Sequence, residues 1–589
     1  MDHYCTVRYS MNYSYILEHL TACGYEVSAV SFGPNNADAL RINIRVAEHN
    51  LSLLHLCINE LTELPDFILE SSSQYGRLAH TTVHEQFDLA TICVNVPDSV
   101  SVNYDRPELA FEESLTRYTK LLTQLIQDPE WNKYELIREF QAGWYNIVES
   151  ADDHFLCLSE RGEVEELKIL KPQPKAHMGL ATYYFGIPSN WTEDYVFSPI
   201  ARQLNSRERS SGRGYVIPLT NVDPAPRSKE ELGSWYLNLL ASLSSETYTL
   251  LSQNITQWRE REFWVIFNAQ TPSGKTWFGI HFARKNSSQG KKRLPLSEPE
   301  LTSWTLKAVA VSLFNKERLM PRSGANQELQ NKKVLLIGCG SVGGEIADKL
   351  AASGVGEITL SDPDKFSMDN IYRHILSLNY VSHLKTISLN LHLTNKYPWL
   401  RVKNFNKSLL ELRNERFLEK FDIIVIAIGA PTHERLFHDF LLKNKITSAV
   451  INTWVEGYGV GGHAILDISY TQGCLHCAYV DPMDLSRGLA SNLNFLEKNQ
   501  DITRNHAGCG DTFLPYTYIT STQTALIAAD LAIKYLLKRV QHSSKVSWKG
   551  DATEALQNGF NLTERYNVFN RSLEITPLYN NECDICNEK

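Results

Sequence analysis

Lys332–Asp362 reads KKVLLIGCGSVGGEIADKLAASGVGEITLSD, and this stretch decides the fold of the C-terminal part of the chain. Lys332–Ile337 is the apolar run of a strand buried on both faces. Gly338-Cys339-Gly340-Ser341-Val342-Gly343-Gly344 is a tight glycine turn, Glu345–Ala352 an amphipathic helix, and Glu357–Ser361 a second strand that ends at Asp362. The result is a βαβ unit with an acid 22 residues after Gly340, the spacing of a carboxylate that reaches a ribose. Asp422–Ile428 (DIIVIAI) extends a parallel, Rossmann-like sheet, so the class is α/β.

A glycine turn that opens a helix brings backbone N–H groups and the helix dipole against a phosphate. Taken alone, it also suits a packing turn or a dinucleotide-binding oxidoreductase. The residues that follow are more specific: Asp362-Pro363-Asp364, then Asn370 and Arg373, then Lys385. Two acids, an amide, a guanidinium and an ammonium suit a nucleoside triphosphate: ribose on one carboxylate, metal or ribose on the other, phosphates on the cations. A nicotinamide site has no need of the two cations.

Outward from this unit, sulfur is the next signal. The chain has 11 cysteines among its 589 residues, an odd number that fits a disulfide framework poorly in a reducing compartment. Cys474-Leu-His-Cys477 and Cys583-Asp-Ile-Cys586 form two CxxC knuckles, the pattern of a closed structural zinc site. A redox CxxC is the competing reading, but it leaves the second pair without a use. Cys509 stands apart in the glycine-flanked segment Asn505-His-Ala-Gly-Cys-Gly-Asp511. Cys5, Cys23, Cys57, Cys157 and Cys339 take no assigned role.

The rest of the chain divides into 1–150 and 151–315, with 316–589 as the nucleotide-binding part. Residues 1–150 read as α+β, with strands Ala39–Val46 and Asp88–Val96, a long amphipathic helix Glu108–Gln127 and a second helix Trp131–Trp144. In 151–315, also α+β, strands are expected at Tyr215–Pro218 and Phe263–Asn268 and a helix at Lys229–Ser245. Polar Asn205–Gly214 and Arg284–Lys292 read as exposed loops. This middle part carries no catalytic constellation and reads as a linker or scaffold. Composition excludes a disordered or fibrous protein, with 43% hydrophobic and 21% charged residues. A net charge of −9 without a basic block argues against nucleic acid, and the lack of a long apolar stretch or signal-like start argues against a membrane. The expectation is a cytosolic protein.

With Gly338-x-Gly340-x-x-Gly343, Asp362-x-Asp364, Asn370-x-x-Arg373, Lys385 and the paired cysteines, the sequence resembles the ubiquitin-activating-enzyme superfamily. Its bacterial members include the molybdopterin- and thiamine-pathway adenylyltransferases of the ThiF/MoeB type. The resemblance implies ATP and Mg2+ as cofactors, Zn2+ on the four cysteines, and a homodimer. It makes Asp362 the ribose ligand and Arg373 and Lys385 the triphosphate ligands, and it makes Cys509 the thioester acceptor. Arg322, with Arg318 nearby, resembles the arginine lent to a partner subunit's ATP. One departure stands out: where members carry a magnesium-holding Asp after the third strand, this chain has Gly429-Ala430-Pro431-Thr432, which shifts the metal elsewhere, to Asp364 for example.

Thr91-Ile92-Cys93-Val94, downstream of His80 and His84 and followed by the long helix, resembles ubiquitin-conjugating enzymes, although the His-Pro-Asn triad is absent. Together these parts resemble the fusion proteins of bacterial CBASS antiphage operons. That resemblance implies activation of the C-terminus of a cGAS/DncV-like nucleotidyltransferase, with thioesters on Cys509 and Cys93 and a lysine as final acceptor. Three other readings stay open: a sulfur-carrier adenylyltransferase, an activating enzyme with an inactive N-terminal domain, and a partner-binding protein with a decayed nucleotide site.

Overall fold

The computed structural model describes residues 12–587 except 34–35, 59, 96–99, 104, 149–153, 160–161, 174–181, 190, 192–208, 286–289, 470, 481–487, 489 and 506–511. Contacts divide the described chain into two compact units, one up to Leu313 and one from Phe314.

The first unit opens with an antiparallel sheet of β1 (Glu26–Phe32), β2 (Ala37–Val46), β3 (His49–Leu56), β4 (Ile68–Glu70), β5 (Thr81–His84) and β6 (Leu89–Ile92), in the order β1-β2-β3-β4-β6-β5. The helix Pro107–Gln127 lies on it, because Phe111, Leu115, Tyr118, Leu122 and Leu125 recur at helical spacing and bury against Ile42, Ile44, Leu51 and Leu53. Pro107 occupies its first turn, where a missing N–H costs nothing. The expected helix Trp131–Trp144 is two helices, Pro129–Arg138 and Phe140–Tyr145. The break falls at Glu139, whose carboxylate accepts the His80 backbone N–H at 2.8 Å. The expected strand Asp88–Val96 is confined to β6.

The second part of this unit is a closed barrel of β7 (His154–Cys157), β8 (Glu165–Leu170), β9 (Tyr184–Pro188), β10 (Arg209–Leu219), β11 (Glu262–Thr271), β12 (Gly274–Arg284) and β13 (Trp304–Leu313). Phe263, Val265, Phe267, Phe278 and Ile280 pack outward against the helices Phe140–Tyr145 and Leu232–Ala241, while Phe155, Ile169, Val216, Ile266 and Val311 cluster on the opposite face of the strands. Trp144 Nε1–H donates to Val309 O at 3.0 Å, tying the short helix to the barrel. The loop expected at Asn205–Gly214 is in part strand, since β10 starts at Arg209 and pairs with β8. The polar composition misled because this end of the strand borders Glu166 and Glu260, which take the Arg213 guanidinium.

The second unit is built on an eight-stranded sheet, ordered β16-β15-β14-β17-β18-β19-β22-β23. These strands are β14 (Lys333–Ile337), β15 (Glu357–Ser361), β16 (Arg401–Phe405), β17 (Ile423–Ile426), β18 (Ala449–Val455), β19 (Gly461–Asp467), β22 (Ser544–Lys549) and β23 (Thr576–Pro577); β20 (Arg504–Asn505) and β21 (Thr512–Phe513) form a separate two-stranded antiparallel ladder. From β16 to β18 every pairing is parallel, and β19 and β22 add antiparallel strands. Val334 and Leu336 bury under the helices Ser341–Ala352 and Tyr518–Leu536, and Leu335 and Ile337 under Pro431–Lys443. Coverage on both faces explains the unbroken apolar run. β14 pairs with β15 on one side and β17 on the other, so the strand order reverses at their carboxyl ends, the place where open α/β sheets hold ligands.

Candidate functional site

A cleft of about 560 Å³ opens at that reversal point. Gly338, at the end of β14, has φ +90°, and a Cβ there would stand 2.6 Å from Ala427 O. A Cβ on Gly343 would stand 1.8 Å from Gly338 O, so the helix Ser341–Ala352 can start this close to the strand only without a side chain. Gly340 has nothing within 4 Å of its missing Cβ, and it caps the helix without a side chain while lining the cleft. This is the open cradle a phosphate needs.

Asp362 supports the turn from beneath. Its Oδ2 accepts Cys339 N–H at 2.7 Å and its Oδ1 accepts Asp364 N–H at 2.8 Å, and it is only 6% exposed. His374 braces the same turn: Nε2–H donates to Cys339 O at 2.9 Å, and Leu376 N–H donates to Nδ1 at 3.1 Å. Burial pushes its imidazole down to about 4, the neutral form that these two bonds require.

The cations come from the segments after β15. Arg373 donates through Nε to Asn370 Oδ1 at 2.9 Å, and its guanidinium lies 5.0 Å from the Tyr516 ring centroid. The Tyr516 hydroxyl in turn bonds Ser341 Oγ at 2.8 Å. Lys385 opens the helix Lys385–Lys396 with its side chain largely buried, its Nζ 3.0 Å from Asp364 Oδ2. Asn370, Arg373, Lys385, Ser341 and Tyr516 all line the cleft. Across from them stands Glu434, on the helix Pro431–Lys443 and 3% exposed. Its Oε1 accepts Ala430 N–H at 3.1 Å and its Oε2 accepts Asn452 Nδ2–H at 3.0 Å. Burial pushes its carboxyl up to about 7.

Cys474, Cys477, Cys583 and Cys586 meet as a buried cluster. The sulfurs of Cys474 and Cys583 are 3.9 Å apart, those of Cys477 and Cys586 3.5 Å, and those of Cys474 and Cys586 3.6 Å. A tetrahedron of Zn–S bonds of about 2.3 Å has an edge of about 3.8 Å, so the donor set and spacing fit zinc. The sulfurs cannot all ionise unaided: contact with Cys477, Cys583 and Cys586 pushes the Cys474 thiol far up, while contact with its three sulfur neighbours, Cys474 foremost, holds Cys477 far down.

Residues 310–583 match the family model described as "ThiF family". Over 442 residues the chain is 24% identical to the ATP-dependent ubiquitin transferase-like protein Cap2 of Vibrio cholerae, spanning 69% of this chain and 72% of that protein. A Cap2 of Escherichia coli is 26% identical over 35% of each chain. The adenylyltransferase and sulfurtransferase UBA4 of Lodderomyces elongisporus is 25% identical over 28% of this chain and 37% of its own length. Among solved structures, E. coli MccB with ATP overlays at a TM-score of 0.30 and 18% identity, covering 44% of this chain and 67% of that chain. By sequence the chain is thus similar to Cap2 over most of its length, and its C-terminal part to the ThiF family.

Outside the residues that match the family model, Cys93 is exposed just beyond β6, and its N–H donates to His80 O at 2.8 Å. His80 holds φ +58°, a strained value for a residue with a Cβ. Its imidazole is clasped by Glu135 at 2.9 Å and Glu139 at 3.3 Å. The nearby amide of Asn95 is turned to Ser114 Oγ at 3.1 Å.

Arg322 ends the helix Lys316–Arg322, exposed and outside the cleft lining of its own chain. Asp364 is exposed and paired with Lys385, also outside that lining. Cys509 and His506 lie outside the described residues. Sequence reasoning missed His374, Glu434 and Tyr516. The first follows directly on Arg373, and the second sits five residues after the departure at Gly429, so both were within reach of a closer reading.

Proposed function

We propose that this chain uses ATP to activate the C-terminal carboxylate of a protein and passes the acyl group along cysteine thioesters to an amine. The observation that carries this reading is the cleft itself: an open glycine turn, Arg373 and Lys385 converge at the reversal point of a parallel sheet. Kinship with Cap2 supports the choice of a protein C-terminus as substrate, and the CBASS resemblance suggests that of a cGAS/DncV-like nucleotidyltransferase.

In this reading the substrate carboxylate attacks the α-phosphorus of ATP, the bond to the bridging oxygen breaks, and pyrophosphate leaves. The turn's N–H groups, Arg373 and Lys385 stabilise the charge that gathers on the phosphate oxygens. Asp362 and His374 act through the turn they hold. Asp362 is also the proposed ribose ligand. Mg2+ bound with the triphosphate would neutralise part of its charge, and Zn2+ on the four cysteines would pin the tail to the domain.

The Cys509 thiolate then attacks the acyl carbon and AMP leaves. Cys509 lies five residues before Leu514, which lines the cleft, so the backbone between them spans at most about 18 Å. Transfer to Cys93 and then to a lysine amine completes the relay. The proposed division is a conjugating-like part (1–150), a linker (151–315) and the adenylation part (316–589), with Arg322 offered to the ATP of a second copy in a homodimer.

The test is incubation with ATP and the candidate substrate, resolved on non-reducing gels. Thiol-sensitive adducts are expected on both cysteines, and the Cys93 adduct should vanish in Cys509→Ala. A Cys93 adduct that survives that change refutes the relay. Kinship with UBA4 supports a second reading, sulfur-carrier activation, in which Cys93→Ala leaves the product unchanged.

A further inference from the structure

The activating reading requires a divalent cation beside the phosphates, yet the loop after β17 offers Gly429 where a carboxylate is expected. Neither aspartate of the Asp362-Pro363-Asp364 segment supplies it. Asp362 is buried beneath the glycine turn and Asp364 is exposed in an ion pair with Lys385, and both lie outside the cleft lining. Among the described residues that line the cleft, Glu434 is the one carboxylate.

Its setting is unusual. The group is 3% exposed, and among the described residues no Lys or Arg pairs with it. Three neutral donors hold it: the N–H groups of Gly429 and Ala430 and the Asn452 amide. A buried carboxylate without a cation is costly as an anion, which its raised titration point reflects. Across the same cleft stand the glycine turn, Arg373 and Lys385, the groups that would draw a triphosphate in. A triphosphate and an ionised Glu434 in one cleft repel each other unless a cation lies between them. A hard divalent cation takes a carboxylate oxygen together with phosphate oxygens, and with three donors on its four lone-pair sites the Glu434 carboxylate keeps one site free.

We propose that Glu434 is the protein ligand of the nucleotide-bound divalent cation, a carboxylate supplied from the helix Pro431–Lys443 in place of the side chain missing at Gly429. This inference rests on the reading of the cleft as a triphosphate site. The bonds to Gly429 and Ala430 then aim the carboxylate by anchoring it to the very turn that lost the acid. A purely structural role, bracing that turn, would involve no metal.

The experiment uses the full chain, Mn2+ and the non-hydrolysable analogue α,β-methylene ATP. Analogue affinity is measured with Mn2+ and in EDTA, and the ratio is the coupling between metal and nucleotide. The expected result is a coupling at least tenfold smaller in Glu434→Gln than in wild type, with Glu434→Asp intermediate. Analogue affinity in EDTA should be unchanged or tighter in Glu434→Gln, because a repulsive charge is gone. Wild-type coupling in Glu434→Gln would overturn the proposal and leave the brace.

A measurement on the wild type alone covers the case of a variant that does not fold. With glutamate carrying a 13C carboxyl label, the Mn2+–analogue complex should show a 13C hyperfine coupling of a directly bound carboxylate, and its absence overturns the proposal. If wild type binds the analogue neither with Mn2+ nor in EDTA, the nucleotide reading of the cleft itself has failed, a distinct result.

Discussion

The four cysteines at Cys474, Cys477, Cys583 and Cys586 and the single Cys93 show how surroundings decide what sulfur does. The four are buried, with sulfurs as close as 3.5 Å and all within 4.8 Å of one another, in two knuckles drawn from points 109 residues apart. Such thiols are closed to an incoming acyl group and suited to a metal that joins distant segments. Cys93 is exposed at a strand end, with its backbone fixed by His80 and its sulfur outside any sulfur cluster among the described residues. The first arrangement spends sulfur on folding, and the second leaves it available for chemistry.

The contrast breaks most readily at the zinc cluster. Cys583→Ser should take bound zinc from one per chain to below a tenth. It should also lower the melting transition of the second unit by about 10 °C or more, since structural zinc contributes on the order of 10 kcal/mol to folding. Elemental analysis and calorimetry check this, and unchanged zinc would dissolve the distinction. Next in size, Lys385→Ala or Arg373→Ala should slow substrate-dependent ATP–pyrophosphate exchange about a hundredfold with zinc retained, the loss of one charge-stabilising group.

Cys93→Ala should shift melting by less than about 2 °C and exchange less than twofold, yet abolish the adduct at that position, because an exposed thiol contributes little packing. N-ethylmaleimide should label Cys93 in native protein and spare the four clustered cysteines until a chelator is added, as mass spectrometry would show.

The smallest effect is one of pH. His374 has a folded value pushed down to about 4, below its ordinary 6.5, so its share of stability is present above pH 6.5 and is lost as pH falls from there toward 4. The loss is at most about 3 kcal/mol. Urea titrations should show this slope flattened in His374→Gln, and an identical slope would remove His374 as the neutral brace of the turn.

The sequence was most legible where both faces of a strand are covered. VLLI (334–337) and IIVI (423–426) are apolar throughout because helices lie on each side, and the glycine turn is readable because contact distances at Gly338 and Gly343 leave no room for a side chain. The barrel was not legible for a related reason. Its strands are buried on both faces too, but parallel pairs such as β10–β11 and β7–β13 join segments far apart in sequence, which no local pattern records. Glu434 was hidden because a glutamate near the start of a helix normally meets solvent or the helix's own N–H groups. Only the placement of β17 beside β14 turns it into the cleft. The knuckles were legible in spacing, while their convergence required the fold.

The most direct test of the account is pyrophosphate exchange into ATP by the full chain, with and without a candidate protein bearing a free C-terminus. The account predicts exchange that requires that C-terminus, survives Cys93→Ala and falls about a hundredfold in Lys385→Ala. Binding of the substrate protein without any exchange, or exchange indifferent to Lys385→Ala, would contradict it.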